Sequence, residues 1–184
     1  MLNRFKSAPL ALLLSAALPT LASAQGRPIE LGIEALSLGV SIFSAFGRTT
    51  TLTTLSAPVK TFRVGFFVGD QVSVEPRISF DYLKVEDADA VVQVTLSLGA
   101  LYHFTPERQR SQVYLRPVGS IFFVNVGDQS ASQVFLGVGL GVKLPILGQL
   151  AARLELEYAH GFDNDDFANV NSLAAVFGFS FFTR

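Results

Sequence analysis

The chain has no cysteine, no tryptophan and only two histidines among its 184 residues. The missing cysteines exclude disulfides, thiolate metal sites and thiol redox chemistry. Two histidines, His103 and His160, leave little material for a histidine metal site or for general bases. Long apolar runs are also missing. Beyond residue 24 no stretch reaches the roughly 18 consecutive apolar residues that mark a transmembrane helix, although 49% of the chain is hydrophobic. Charge of one sign is scarce too. There are 14 Lys and Arg against 15 Asp and Glu, with no basic cluster of the kind that holds nucleic acid. No phosphate-cradling loop, zinc spacing or paired-carboxylate motif stands out, so no cofactor is expected.

The first 24 residues carry an export pattern. Arg4 and Lys6 form a positive n-region, Leu10–Leu18 is a short apolar core, and Pro19 ends it. Ala22-Ser23-Ala24 is a small-residue cleavage site, with the cut expected before Gln25 at Ala22 and Ala24. This is a cleaved signal peptide, since the apolar stretch is shorter than the ~20 residues of a membrane anchor. The expected organisation is a signal peptide over 1–24 and one domain over 25–184. Without Arg4 and Lys6 the balance becomes 12 basic against 15 acidic residues.

The remainder alternates with the period of two that places successive side chains on opposite faces of a strand. Eight strands are expected: about 29–43, 59–68, 72–85, 92–102, 112–126, 133–144, 150–160 and 170–183. The last is clear, with Leu173, Ala175, Phe177, Phe179 and Phe181 on one face. In the first, the apolar phase slips from Ile29, Leu31 and Ile33 to Leu36, Leu38, Val40 and Ile42, which predicts a bulge near Ala35. Pro117 lacks a ladder N–H and predicts an irregularity inside the fifth strand. An exported chain of apolar alternating strands with no spanning helix satisfies its backbone in lipid only as a closed barrel. The expected fold class is all-β, an eight-stranded antiparallel up-and-down transmembrane β-barrel. With both ends on the periplasmic side, turns fall at 69–71, 105–111 and 145–149, and outer loops at 47–57, 86–90, 127–132 and 161–169.

The polar faces hold Ser, Thr, Gln and Gly more than Lys and Glu. Water-facing strands are richer in charge, so the polar face is placed inside and the apolar face toward lipid. The inward charges predict a lumenal network of Arg63, Glu75, Arg77, Arg116, Arg153, Glu155 and Glu157, with room left by Gly137, Gly139 and Gly141. An eight-stranded interior is just wide enough for side chains to fill, so the network is expected to plug the barrel. Aromatic girdles are expected from Phe67, Tyr102, Phe104, Phe181 and Phe182 at one end, and from Phe43, Phe46, Tyr82, Phe122, Phe123, Tyr158 and Phe162 at the other. His103, between Tyr102 and Phe104, is expected at the interface. The outer loops carry Glu86, Asp87, Asp89, Asp128, Asp163, Asp165 and Asp166. They read as solvated loops, with divalent bridging to anionic headgroups as the alternative.

The hairpin rhythm, Leu101-Tyr102-His103-Phe104 before a turn, Gly139-Leu140-Gly141-Val142-Lys143 and the closing Phe177-Gly178-Phe179-Ser180-Phe181-Phe182 resemble the small outer-membrane β-barrel superfamily of the outer membrane protein A and X type. The resemblance covers about 29–184. It implies integration in the outer membrane of a Gram-negative-type bacterium, contact with outer-membrane lipid and lipopolysaccharide, and insertion by the barrel-assembly machinery. Family strands usually end on an aromatic; here Thr183-Arg184 follow, which shifts that insertion signal by two residues. Outer-membrane lipid A deacylases carry a His-x-Ser pair, whereas His160 is followed by Gly161-Phe162. The expected role is therefore non-enzymatic, envelope-structural or surface-interacting. A narrow pore, a lipid A-modifying enzyme and a soluble lipocalin-like binder are the alternatives.

Overall fold

The computed structural model describes residues 27–45, 48–57, 61–84, 89–105, 111–164 and 167–183. The expected signal peptide with Ala22 and Ala24, and Phe46, Glu86, Asp87, Asp165 and Asp166, lie outside them.

Nine antiparallel strands form one sheet: β1 (Ile29–Ala45), β2 (Arg48–Ser56), β3 (Thr61–Phe67), β4 (Val72–Leu83), β5 (Val91–His103), β6 (Gln112–Val126), β7 (Gln129–Leu147), β8 (Leu150–Gly161) and β9 (Asn169–Phe182). Each neighbours the next in sequence from β3 to β9, and pairing of β1 with β9 closes the barrel. The wall has eight positions, because β2 and β3 share one. β3 pairs with the first residues of β1, Ile29 to Ile33, and β2 with the outer half, Ser37 to Ala45.

The segment expected as an outer loop at 47–57 is therefore largely strand. Its threonine-rich run, Thr49-Thr50-Thr51-Leu52-Thr53-Thr54, has high strand propensity even without apolar alternation, because threonine is β-branched. Among the described residues β2 pairs with β1 alone, and its side chains from Thr49 to Ser56 are exposed on both faces. Two expected connections also shrink. Gln129–Ser132 begins β7, leaving Gly127-Asp128 as the turn, and β7 runs on to Leu147, leaving Gly148-Gln149. Gly127 (φ 56°) and Gly148 (φ 43°) adopt the left-handed backbone such two-residue hairpins require.

The β1 register against β9 steps from Glu34↔Gly178 to Leu36↔Phe177, so Ala35 is the extra residue of a bulge. Glu30, Gly32 and Glu34 face inward before it, and Ser37, Gly39 and Ser41 after it. The prolines leave a different trace. Between β5 and β6 the pairs Gly99↔Val118 and Tyr102↔Leu115 hold one register, but none forms between them, beside Pro117. Between β3 and β4 the ladder skips in the same way beside Pro76, from Arg63↔Arg77 to Phe66↔Val74. Each proline keeps its pairing on the other side, with Val138 and Leu98 respectively. The wall thus absorbs a missing donor without slipping register.

The barrel is inside out compared with a water-soluble one. Leu31, Ile33, Leu38, Leu136, Leu140, Leu154, Leu156 and Leu173 are exposed on the outside, while Glu30, Arg63, Glu75, Arg116, Lys143, Arg153 and Glu155 are buried within. An apolar belt with a polar interior is the arrangement that lipid selects.

Candidate functional site

The lumen is built in layers, beginning with aromatics at the end where β1 starts. Phe67 and Phe182, expected in a lipid girdle, instead point inward and are 1% and 9% exposed. Their strand phase explains this. Phe67 shares its face with Arg63 and Gly65, and Phe182 shares its face with Gly178 and Ser180. Tyr102, Phe104 and Phe181 do lie on the outside of this end. His103, expected at the interface, is fully buried. It stacks on Phe67 with ring centroids 5.4 Å apart, and its Nε2 lies 3.0 Å from Ser73 Oγ. At the opposite end Tyr82, Tyr158 and Phe162 face outward, whereas Phe122 turns inward to meet Phe167 edge-on at 6.1 Å.

The ammonium of Lys143 sits over the Tyr114, Phe182 and Phe67 rings at 5.3, 5.8 and 6.0 Å, a cation–π arrangement. It also donates to Glu30 Oε2 at 2.5 Å. Arg153 stacks on Tyr114, 4.7 Å from the ring centroid, and grips Glu75 with two hydrogen bonds of 2.6 and 3.0 Å. Its third group of contacts reaches Glu155 at 2.7 Å. Tyr114 donates its hydroxyl to Glu155 at 2.6 Å and accepts from Arg153 Nε. Arg116 donates to Glu155 through Nε at 2.7 Å, and its Nη2 bridges Glu155 and Glu157. Arg77 holds Glu157 bidentately at 3.0 and 3.1 Å and reaches Glu34 at 3.3 Å. Arg63 lies within 3.7 to 4.0 Å of Glu34, Glu75 and Glu155.

The structure thus brings all seven residues named from the sequence, Arg63, Glu75, Arg77, Arg116, Arg153, Glu155 and Glu157, into one connected network. It adds Glu30, Glu34, Lys143 and Tyr114, which sequence reasoning did not assign. Their signal was present: Glu30 and Glu34 alternate with Leu31 and Ile33, and Lys143 continues the Gly137-Gly139-Gly141 face. In total five cations, Arg63, Arg77, Arg116, Lys143 and Arg153, meet five carboxylates, Glu30, Glu34, Glu75, Glu155 and Glu157. Arg63 and Arg77 are direct cross-strand partners. Like charges so placed repel, and the carboxylates on both sides make the pairing tolerable.

Glycine makes room for these side chains. Gly32 is opposite Arg63, Gly65 opposite Glu30, Gly99 opposite Glu75, Gly139 opposite both Arg116 and Glu157, Gly141 opposite Glu155, and Gly178 opposite Arg153. A Cβ on Gly32 would lie 2.5 Å from Arg63 Cγ, and one on Gly99 would lie 3.0 Å from Arg116 Cγ.

Among the described residues no group of His, Asp and Glu is arranged to hold a metal. Asp89, Asp128 and Asp163 are at the outer connections. His160 is at the rim, in an edge-on contact with Phe162 and 2.9 Å from Asn171 Oδ1.

A closed antiparallel barrel with an apolar exterior and a salt-bridged lumen defines a class, the small integral outer-membrane barrels. The family profile of the outer membrane protein beta-barrel domain matches residues 8–181, and the chain belongs to that family. Among solved structures it is similar to Neisserial surface protein A, with 13% identity, a TM-score of 0.58, and coverage of 83% of this chain and 96% of that one. It is also similar to the N-terminal barrel of Pseudomonas aeruginosa OprF, with 18% identity, a TM-score of 0.54 and coverage of 85% and 97%. OprG from the same organism gives 11% identity, a TM-score of 0.52 and coverage of 85% and 96%. At these identities the likeness is one of fold. A search of curated proteins finds no match.

Proposed function

We propose that this protein is a sealed, non-enzymatic outer-membrane barrel that acts through its framework and its outer rim. It is exported by a signal peptide cut before Gln25, inserted by the barrel-assembly machinery, and seated among outer-membrane lipid and lipopolysaccharide. The observation that carries the reading is the paired lumen. Arg116 and Arg153 are at most 1% exposed and each is bound to carboxylates from other strands, which leaves little continuous path for ions through that layer. The Ser73–His103 pair has the residue types of a hydrolase, but both side chains are fully buried beneath Phe67. A nucleophile has to reach its substrate.

Planar-bilayer recording tests the sealed lumen. Purified protein is expected to give no steady conductance, and steady wild-type channels altered by Glu155→Gln or Arg153→Gln would establish a pore instead. Lipid A analysis of cells carrying the wild type or His160→Ala is expected to show one acylation pattern, and a difference would argue for an enzyme. N-terminal sequencing of the envelope form should begin at Gln25.

A further inference from the structure

The outward face of the wall is apolar over most of its height, but near the outer ends of β8 and β9 it carries a polar pair. His160 and Asn171 are direct cross-strand partners, close to the end of β8 and the start of β9. Leu136 flanks the pair on β7 and Ile42 on β1, and Tyr158 pairs with Leu173 in the next outward row. Leu136, Ile42 and Leu173 are all exposed, so the pair stands in a lipid-facing surface. On its strand His160 alternates with Tyr158 and Phe162, two outward rings of the girdle at this end. Such rings mark the depth at which lipid headgroup and acyl chain join.

The hydrogen bonds fix what the pair offers. Asn171 Oδ1 accepts from the Tyr158 hydroxyl at 2.7 Å and lies 2.9 Å from His160 Nδ1. An amide oxygen only accepts, so His160 carries a proton on Nδ1, and in the neutral ring Nε2 keeps its lone pair. Phe162 packs edge-on against the imidazole at 4.9 Å. The Asn171 amide N–H groups and His160 Nε2 have no partner among the described residues. Polar groups left unpaired against hydrocarbon are costly. The surroundings have to supply an acceptor and a donor side by side.

We infer that this cluster is a docking site for a lipid whose acyl chain is joined to its headgroup through an amide, the chemistry of lipid A. The inference rests on the outer-membrane reading above and names the lipid group that the wall selects. A secondary amide presents its carbonyl to Asn171 and its N–H to His160 Nε2. The attached chain then follows the apolar wall along Leu173 and Leu156, both exposed. An ester-linked glycerolipid offers only acceptors at this depth and leaves Nε2 unpaired. Among the described residues the outward positions of β1, β7, β8 and β9 carry no lysine or arginine, so the amide, and not a phosphate, is the group recognised.

The test titrates the full mature chain, refolded in a zwitterionic detergent, with three lipids. Lipid A carries the amide and phosphates, ceramide the amide without a phosphate, and phosphatidylethanolamine only esters at the acyl junction. Bound lipid is counted by native mass spectrometry. The wild type should retain a single lipid A or ceramide about tenfold more tightly than phosphatidylethanolamine, the factor that one unpaired polar group is worth. Asn171→Leu and His160→Phe should each bring the three lipids to equal affinity while the protein keeps its heat-dependent band shift. Equal retention of all three by the wild type, or a preference that either folded variant keeps, would overturn the site. Preference for lipid A without ceramide would assign recognition to the phosphate and overturn the amide. The same preparation separates the two failures. A barrel that precipitates when detergent is removed yet shows no preference loses only the site, whereas one that stays in solution overturns the membrane reading beneath it.

Discussion

Glu155 has the most demanding position in the lumen, since Arg116, Arg153 and Tyr114 all direct hydrogen bonds to it. Removing one partner of a buried ion pair strands the other charge and typically costs about 3–5 kcal/mol. Glu155→Gln should therefore lower unfolding stability in detergent by that order, read from urea titration of the heat-modifiable band. Gly32→Val drives a side chain into Arg63 and should cost about 1–3 kcal/mol, the usual penalty of overpacking. Leu96 pairs with Ile78 and Ile121 on the lipid side, so Leu96→Arg should cost roughly 2–4 kcal/mol at mid-membrane. Ser97, one residue away, accepts a hydrogen bond from Ser120 at 2.9 Å. Ser97→Ala should cost only about 1 kcal/mol, and the reverse order would mean that the faces are misassigned. Which side each residue takes was legible in the sequence wherever apolar and polar residues alternate. Phe67, Phe182 and His103 were misjudged because their aromatic character suggested an interface, although their parity with Arg63, Ser180 and Ser97 placed them inside.

The bulge of β1 is a device of the element rather than of any side chain. Ala35 makes no contribution beyond its extra backbone unit, yet without it one half of the strand would present the wrong face to lipid. Deleting Ala35 is expected to abolish the heat-modifiable form on refolding, whereas Ala35→Gly should retain it. The β1–β2 hairpin invites a different measurement. With β1 as its only partner among the described residues, β2 should show alternate amides from Thr49 to Ser56 exchanging rapidly while those of β9 opposite remain protected. This strand was missed from sequence for a physical reason. Its alternation is between threonine and threonine, so periodicity is silent and only β-propensity speaks. The short turn at Gly127 was blurred because the start of β7, Gln129-Ser130, is polar like a loop, and the one at Gly148 because Pro145 reads as a strand end.

At the scale of the molecule, fold class and wall number were carried by the repeated hairpins, and the inward charge network by the clustering of charge on inward positions. The stacking of an aromatic layer beneath the charged one was not legible, because layering depends on how far each strand is staggered against the next. Fractionation of expressing cells should place the protein in the envelope, released only by detergent and running with different mobility before and after boiling. A soluble protein without that shift would reverse the assignment of inside and outside.

The distribution of the five carboxylates among the strands has a kinetic meaning. Two of them, Glu30 and Glu34, belong to β1, while the cations they meet come from β3, β4, β7 and β8. Before the first strand docks on the last, Glu30 stands on β1 at one edge of the sheet while Lys143 and Arg153 stand on β7 and β8 near the other. Closing the seam brings these charges together, and an unclosed sheet should be a poorly populated species whose assembly and disassembly proceed in single steps.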